Sequence, residues 1–127
     1  MGKGELRFDK AALDQAERDY KNVFPKGIQS DIIQDLIGIA IQYIPISRDA
    51  MGGIFIKAIA EWQKSNKKEL GDLINVGPDE RLAEVTKIMN LVRDRLINLL
   101  SLVSQGKEVQ KAFEKAHTHY KEKYAER

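Results

Sequence analysis

The most informative segment of the chain is residues 77–106, GPDERLAEVTKIMNLVRDRLINLLSLVSQG. It opens on Gly77-Pro78 and two acidic residues, an order typical of a helix start, because proline fits the first helical position and carboxylates favour the N-terminal turn. Apolar residues then recur at alternating steps of three and four, a heptad pattern: Leu82, Val85, Met89, Val92, Leu96, Leu99 and Val103. The sequence therefore predicts a long helix over residues 78–104.

Gly106 separates two possible architectures for the C-terminal part of the chain. If the helix ends there, residues 107–126 form a last helix that packs back through an apolar face, Val109, Phe113, Ala116, Tyr120 and Tyr124. If the helix runs on, it spans about 74 Å. A compact domain of this length is roughly 36 Å across, so a continuous helix needs a partner chain. We expect the broken form.

Two segments nearer the N-terminus also show helical spacing of their apolar residues. The first, residues 9–24, begins with Asp9 as a capping residue and ends at Pro25-Lys26-Gly27. The second, residues 28–44, is rich in isoleucine, and the alternation over Ile37–Ile46 is also typical of a strand. We predict a helix there, because the run is long and has no hairpin partner nearby.

Residues 47–62 carry the clearest amphipathic pattern of the first half, with Ser47 as the expected N-cap. Gly52-Gly53 inside this pattern favours a close crossing with another helix, because glycine has no side chain to keep a neighbour away. A short helix over residues 67–75 then leads to the 78–104 helix. The sequence thus predicts an all-α fold and a single domain over residues 1–127. We expect a bundle of four longer helices plus one short helix, centred on the 78–104 helix.

Composition removes several classes of function. The 127 residues include 21 basic and 19 acidic side chains, and this net charge of +2 is too small for strong non-specific binding to nucleic acid. The absence of cysteine excludes disulfides, thiol catalysis and cysteine zinc sites. No signal-peptide pattern is found, and the longest uncharged stretches fall well short of the about 20 residues of a transmembrane helix. We therefore expect a soluble, cytoplasmic protein.

The catalytic and metal-binding motifs that we tested are missing. His117 and His119 are the two histidines of the sequence. A spacing of two residues puts them on opposite sides of a helix, so they cannot bind the same metal ion. There is no nucleophile elbow and no phosphate-binding loop. We expect neither an enzyme nor a bound cofactor.

Two pairs of carboxylates have the helical i, i+4 spacing, Asp31 with Asp35 and Glu80 with Glu84. Such pairs bind metals in di-metal helical bundles, but those bundles also need Glu-x-x-His motifs, which this sequence lacks. We interpret both pairs as solvated faces of helices.

The remaining signal is an unusually wide apolar surface, and uncovered apolar patches mark binding sites for partners. Residues that lie off the main core faces form the candidate partner surface: Ile39, Ile41, Leu91, Leu102, Tyr120 and Tyr124. The favoured hypothesis is a non-enzymatic helical protein-interaction module, a subunit or adaptor of a larger assembly. Its partner is another protein or a second copy of itself, as in a homodimer.

Two other functions stay open at this point. The runner-up is a small helical subunit that contacts nucleic acid through the lysine-rich last helix and through candidate phosphate contacts at Arg81, Lys87, Arg93 and Arg95. The third is a bundle that docks on a membrane, because residues 28–62 form an apolar pair of segments joined at Pro45. The membrane is the least favoured of these partners, since the same pattern is typical of the core of any bundle.

Overall fold

The computed structural model describes residues 6–23 and 30–124. It contains five α-helices: α1 (Lys10–Val23), α2 (Asp31–Tyr43), α3 (Arg48–Asn66), α4 (Pro78–Asn98) and α5 (Gly106–Tyr124). Short 3-10 helices cover Leu70–Leu73 and Val103–Gln105. Within the described ranges the β-structure is limited to one isolated antiparallel bridge between Phe8 and Leu100. The predicted all-α bundle is confirmed, with five longer helices where four were expected, and the short helix expected over 67–75 is the first 3-10 helix.

Helix starts agree with the sequence where capping residues were expected. The Asp9 carboxylate accepts a hydrogen bond from the Ala11 N–H at 3.0 Å, and the Ser47 hydroxyl accepts one from the Ala50 N–H at 3.1 Å. Proline stands at the first position of α4. The isoleucine-rich segment is helical over Asp31–Tyr43, so the strand alternative is wrong. The predicted terminator Pro25-Lys26-Gly27, the start of that segment and residues 125–126 lie outside the described residues.

The core lies where α3 meets its neighbours. α3 contributes nine buried residues and contacts α1, α2 and α4. α4 joins α3 to α5, and α5 also packs on α2. The middle of the bundle is therefore shared by α3 and α4, with α2 held between α3 and α5.

The glycine pair of α3 lies at the crossing with α1. A Cβ atom on Gly53 would stand 2.1 Å from the backbone oxygen of Ala16, and one on Gly52 would stand 2.5 Å from the ring of Tyr20. The α1 and α3 backbones approach closely at Gly53, and the Tyr20 ring packs on Gly52, because neither glycine has a side chain. The close crossing predicted from Gly52-Gly53 is confirmed.

α4 ends six residues earlier than its heptad pattern predicts, at Asn98 rather than at residue 104. The chain there pairs with the segment before α1: the Asp9 N–H donates to the Leu99 carbonyl at 2.7 Å, and the Ser101 N–H donates to the Arg7 carbonyl at 2.8 Å. These bonds hold Leu99 and Ser101 outside a regular helix. The continuous-helix alternative is wrong, and α5 begins at Gly106 as a separate helix.

Candidate functional site

The four candidate phosphate contacts do not form a common surface. At about 100° per residue, Lys87, Arg93 and Arg95 stand roughly 240°, 120° and 320° around α4 from Arg81. Arg81 binds the backbone instead, with its guanidinium donating to the carbonyls of Leu73, Ile74 and Val76 at 2.6, 3.2 and 3.0 Å. Arg81 thus closes the loop before α4.

The other three cations also have partners within the fold. Lys87 lies 3.3 Å from the Glu84 carboxylate, Arg93 lies 2.9 Å from Asp94, and Arg95 lies 3.0 Å from Glu61. A phosphate would have to compete with these carboxylates. These four side chains therefore give the nucleic-acid alternative no specific support.

Glu84 is a buried carboxylate, which corrects its interpretation as part of a solvated pair. Its Oε1 accepts a hydrogen bond from the Trp62 indole N–H at 2.9 Å, while Oε2 lies 3.1 Å from the Lys68 ammonium and 3.3 Å from that of Lys87. Burial of Glu84 opposes ionisation, but these three donors outweigh it and lower the pKa of the carboxyl below its usual value. These contacts link α3 to α4, and both Glu84 oxygens are engaged by donors of the fold.

The histidines lie on α5 and serve separate contacts. The Thr86 hydroxyl donates a hydrogen bond to the Leu82 carbonyl at 2.8 Å, and it lies 2.7 Å from Nε2 of His117. Because the hydroxyl has one proton to donate, the imidazole is the donor in the second hydrogen bond. Burial lowers the pKa of His117, and the nearby charge of Lys121 lowers it further. His119 lies 3.0 Å from the Tyr43 hydroxyl. Within the described part of the chain, no three His, Asp or Glu side chains are grouped to hold a metal ion.

Two residues of the candidate partner surface belong to the core. Ile39 and Tyr120 are each only 3% exposed. Ile39 is covered because α2 is packed on two sides, and Tyr120 because it extends the buried face of α5. Both are therefore corrected from surface to core, while Ile41, Leu91 and Tyr124 are half-buried against the core.

Of the six residues predicted to form the partner surface, Leu102 is the exposed one. Its neighbour Val103 is also exposed but was not predicted to be. Leu102 is 44% exposed and Val103 is 89% exposed in the turn between α4 and α5. The heptad pattern placed Val103 in the core, but the helix has ended before it. The serines at 101 and 104 and Gly106 are the sequence signals that could have indicated a turn. We call Leu102 and Val103, with the adjoining Phe8 and Leu100, the turn surface.

At the opposite end of the α4–α5 pair lies a cleft that brings three predicted residues together. Arg81, Tyr120 and Tyr124 line it, with Lys121 and Asp79. Pro78 and Leu82 complete its apolar wall, and its volume is about 450 Å³. We call this site the tyrosine cleft. Neither the heptad pattern nor the charge count indicated it, because it depends on how α4 and α5 align.

The two tyrosine rings of the tyrosine cleft are fixed by their neighbours. Their centroids are 4.6 Å apart and their planes are inclined by 41°. The Tyr124 hydroxyl donates to the Asp35 carboxylate on α2, and Lys123 lies 3.9 Å from the same carboxylate. Burial raises the pKa of the Tyr120 phenol, while the charge of Arg81 opposes that rise and the charge of Asp35 adds to it.

No family model matches this chain, and comparisons with the curated proteins and with the solved structures find no significant match. None of the helices within residues 6–23 and 30–124 has both the length and the hydropathy that crossing a membrane requires.

Proposed function

We propose that this chain is a non-enzymatic, cytoplasmic protein-interaction module, a subunit of a larger assembly, and that it docks through the turn surface. The observation that supports this proposal is the exposure of two consecutive aliphatic side chains, 44% at Leu102 and 89% at Val103. Leu100, two residues before Leu102, pairs with Phe8 in an antiparallel bridge, and both side chains are only partly buried. Apolar patches that a protein leaves uncovered mark interaction sites.

The turn surface is presented on a braced backbone. Besides the two bonds that pair residues 7–9 with 99–101, the Arg7 N–H donates to the Gln105 side-chain carbonyl at 2.8 Å. The 3-10 helix Val103–Gln105 adds a bond from the Gln105 N–H to the Leu102 carbonyl at 3.0 Å. A surface that is already ordered loses less entropy on binding, which favours association.

We assign a second copy of this chain as the occupant, because the charges around the turn surface are of both signs. Arg7 and Lys107 are positive, Asp9 and Glu108 are negative, and all four are exposed. Two copies related by a two-fold axis can place opposite charges against each other around the apolar centre. A net charge of +2 adds little long-range repulsion between copies.

The turn surface is small for a protein–protein interface. A standard stable interface buries about 800 Å² per partner. Two exposed aliphatic side chains with half-buried neighbours offer less than that. We therefore expect a weak dimer whose population rises with protein concentration.

Sedimentation velocity over a wide concentration range tests the proposal. The wild type should shift from monomer towards dimer as concentration rises, and the double variant Leu102→Ser/Val103→Ser should stay monomeric. The matched control is Val23→Ser/Ile74→Ser, which removes two other exposed aliphatic side chains, 57% and 65% exposed, away from the turn surface. It should associate like the wild type. A wild type that is monomeric at every concentration contradicts the proposal. An equal loss of dimer in both double variants contradicts it as well.

A further inference from the structure

The tyrosine cleft has the dimensions of a small-molecule site. Its volume of about 450 Å³ lies within the roughly 300–1,000 Å³ of typical ligand pockets. Such pockets combine apolar walls with a few polar groups that fix the orientation of the ligand. Leu82, Pro78 and the two tyrosine rings supply walls of this kind.

The Tyr120 hydroxyl is a polar group without a partner in this cleft. The residue is 97% buried, and its hydroxyl forms no hydrogen bond to the described residues. The hydroxyl is not sealed inside the core, because Arg95 Nε is the one side-chain atom of the described residues that is both fully buried and unpartnered. A phenol held in this way is ready to donate to an acceptor that enters the cleft.

The charges around the tyrosine cleft favour an anion with a single charge. Arg81 and Lys121 are positive and Asp79 is negative, so the lining carries a net charge of +1 (two minus one). The charge of Asp35, which also acts on Tyr120, is offset by Lys123 at 3.9 Å. Arg81 already uses Nε and Nη2 on backbone carbonyls. Lys121 is exposed and forms no ion pair with the described residues. One unengaged ammonium and one phenol suit a carboxylate, whereas a phosphate would call for several donors.

We propose that the tyrosine cleft binds a small carboxylic acid with an aromatic body. The carboxylate accepts a hydrogen bond from the Tyr120 hydroxyl and forms an ion pair with the ammonium of Lys121. The aromatic body lies against Leu82 and the ring of Tyr124, whose orientation is fixed by the bond from its hydroxyl to Asp35. This site is separate from the turn surface and does not depend on self-association.

Titration with phenylacetate, followed by amide NMR shifts and by calorimetry, tests this assignment. Phenylacetamide serves as the neutral analogue of the same shape. We expect millimolar binding of phenylacetate, with shifts concentrated at residues 78–82 and 120–124, and about tenfold weaker binding of phenylacetamide. Tyr120→Phe, which removes only the hydroxyl, and Lys121→Gln should each weaken phenylacetate binding by about three- to tenfold.

The matched control is Lys115→Gln, which removes another exposed lysine of α5 that lies outside this cleft. It should bind phenylacetate like the wild type, and circular dichroism should show that all three variants keep their helices. Equal binding of the acid and the amide overturns the proposal. So does an unchanged affinity in Tyr120→Phe and Lys121→Gln, or the absence of any saturable shift at tens of millimolar phenylacetate.

Discussion

At the scale of single residues, Glu84 shows that the spacing of charges along a helix does not determine which of them are buried. Its i, i+4 relation to Glu80 indicated a solvated face, yet Glu84 is 6% exposed and Glu80 is exposed. The difference arises because Trp62 and Lys68 reach Glu84 from a segment 16 to 22 residues away. The spacing correctly predicts that Glu80 and Glu84 lie on the same side of α4. It does not show which parts of the fold cover Glu84 and supply its hydrogen-bond donors.

Replacing Glu84 should reveal the strength of this cluster. Glu84→Leu leaves the buried Trp62 N–H without an acceptor and two lysines without their carboxylate, so we expect the free energy of unfolding to fall by about 3 kcal/mol. Glu84→Gln keeps an acceptor for Trp62 and should cost about 1 kcal/mol. Urea unfolding measures both. Glu80→Gln is the control and should change stability by less than about 0.5 kcal/mol; equal effects at the two positions would contradict this role of Glu84.

The lowered pKa of Glu84 also predicts a dependence of stability on pH. Between its folded pKa and its unfolded value near 4.5, the unfolded chain binds more protons. The stabilisation from ionised Glu84 is therefore complete above the unfolded pKa and is lost as pH falls through the folded pKa. Urea midpoints measured from neutral pH to about pH 3 should fall more steeply for the wild type than for Glu84→Gln. Parallel curves would show that Glu84 does not contribute.

At the scale of elements, helix identity and helix contacts can be predicted from the sequence more accurately than helix ends. The Gly52-Gly53 pair predicted a close crossing, and the contact with Ala16 confirms it. The end of α4 was predicted six residues too late, because it depends on bonds from Arg7 and Asp9 to residues about ninety positions away. A periodic pattern carries no information about such distant backbone partners.

The same substitution at two glycines should have opposite effects. Gly53→Ala forces α1 and α3 apart, because the new Cβ meets the backbone of Ala16 at 2.1 Å, and should cost about 3 kcal/mol or more. Gly38→Ala on α2 meets only the flexible Arg48 side chain, at 3.4 Å, and should stabilise the fold by about 0.5–1 kcal/mol. Thermal unfolding of both variants is the measurement. A tolerated Gly53→Ala would contradict the close crossing.

At the scale of the whole molecule, the α4–α5 pair has two different ends. One end is the turn surface with exposed Leu102 and Val103, and the other is the tyrosine cleft. Sequence patterns identified Leu102 and three lining residues of the cleft, but they could not group them, because their grouping depends on the alignment of two helices. They also placed Ile39 at the surface, since one strip of sequence does not show that α2 is covered on two sides.

Paramagnetic relaxation between two copies, one of them spin-labelled, tests self-association through the turn surface most directly. The chain has no cysteine, so Ser104→Cys places a single spin label beside the turn surface at an exposed position. Mixed with ¹⁵N-enriched wild type that carries no label, the labelled copy should broaden the amide signals of residues 6–10 and 99–108 and spare those of the tyrosine cleft. Uniform broadening, or none at concentrations where the wild type sediments as a dimer, would contradict docking through this surface.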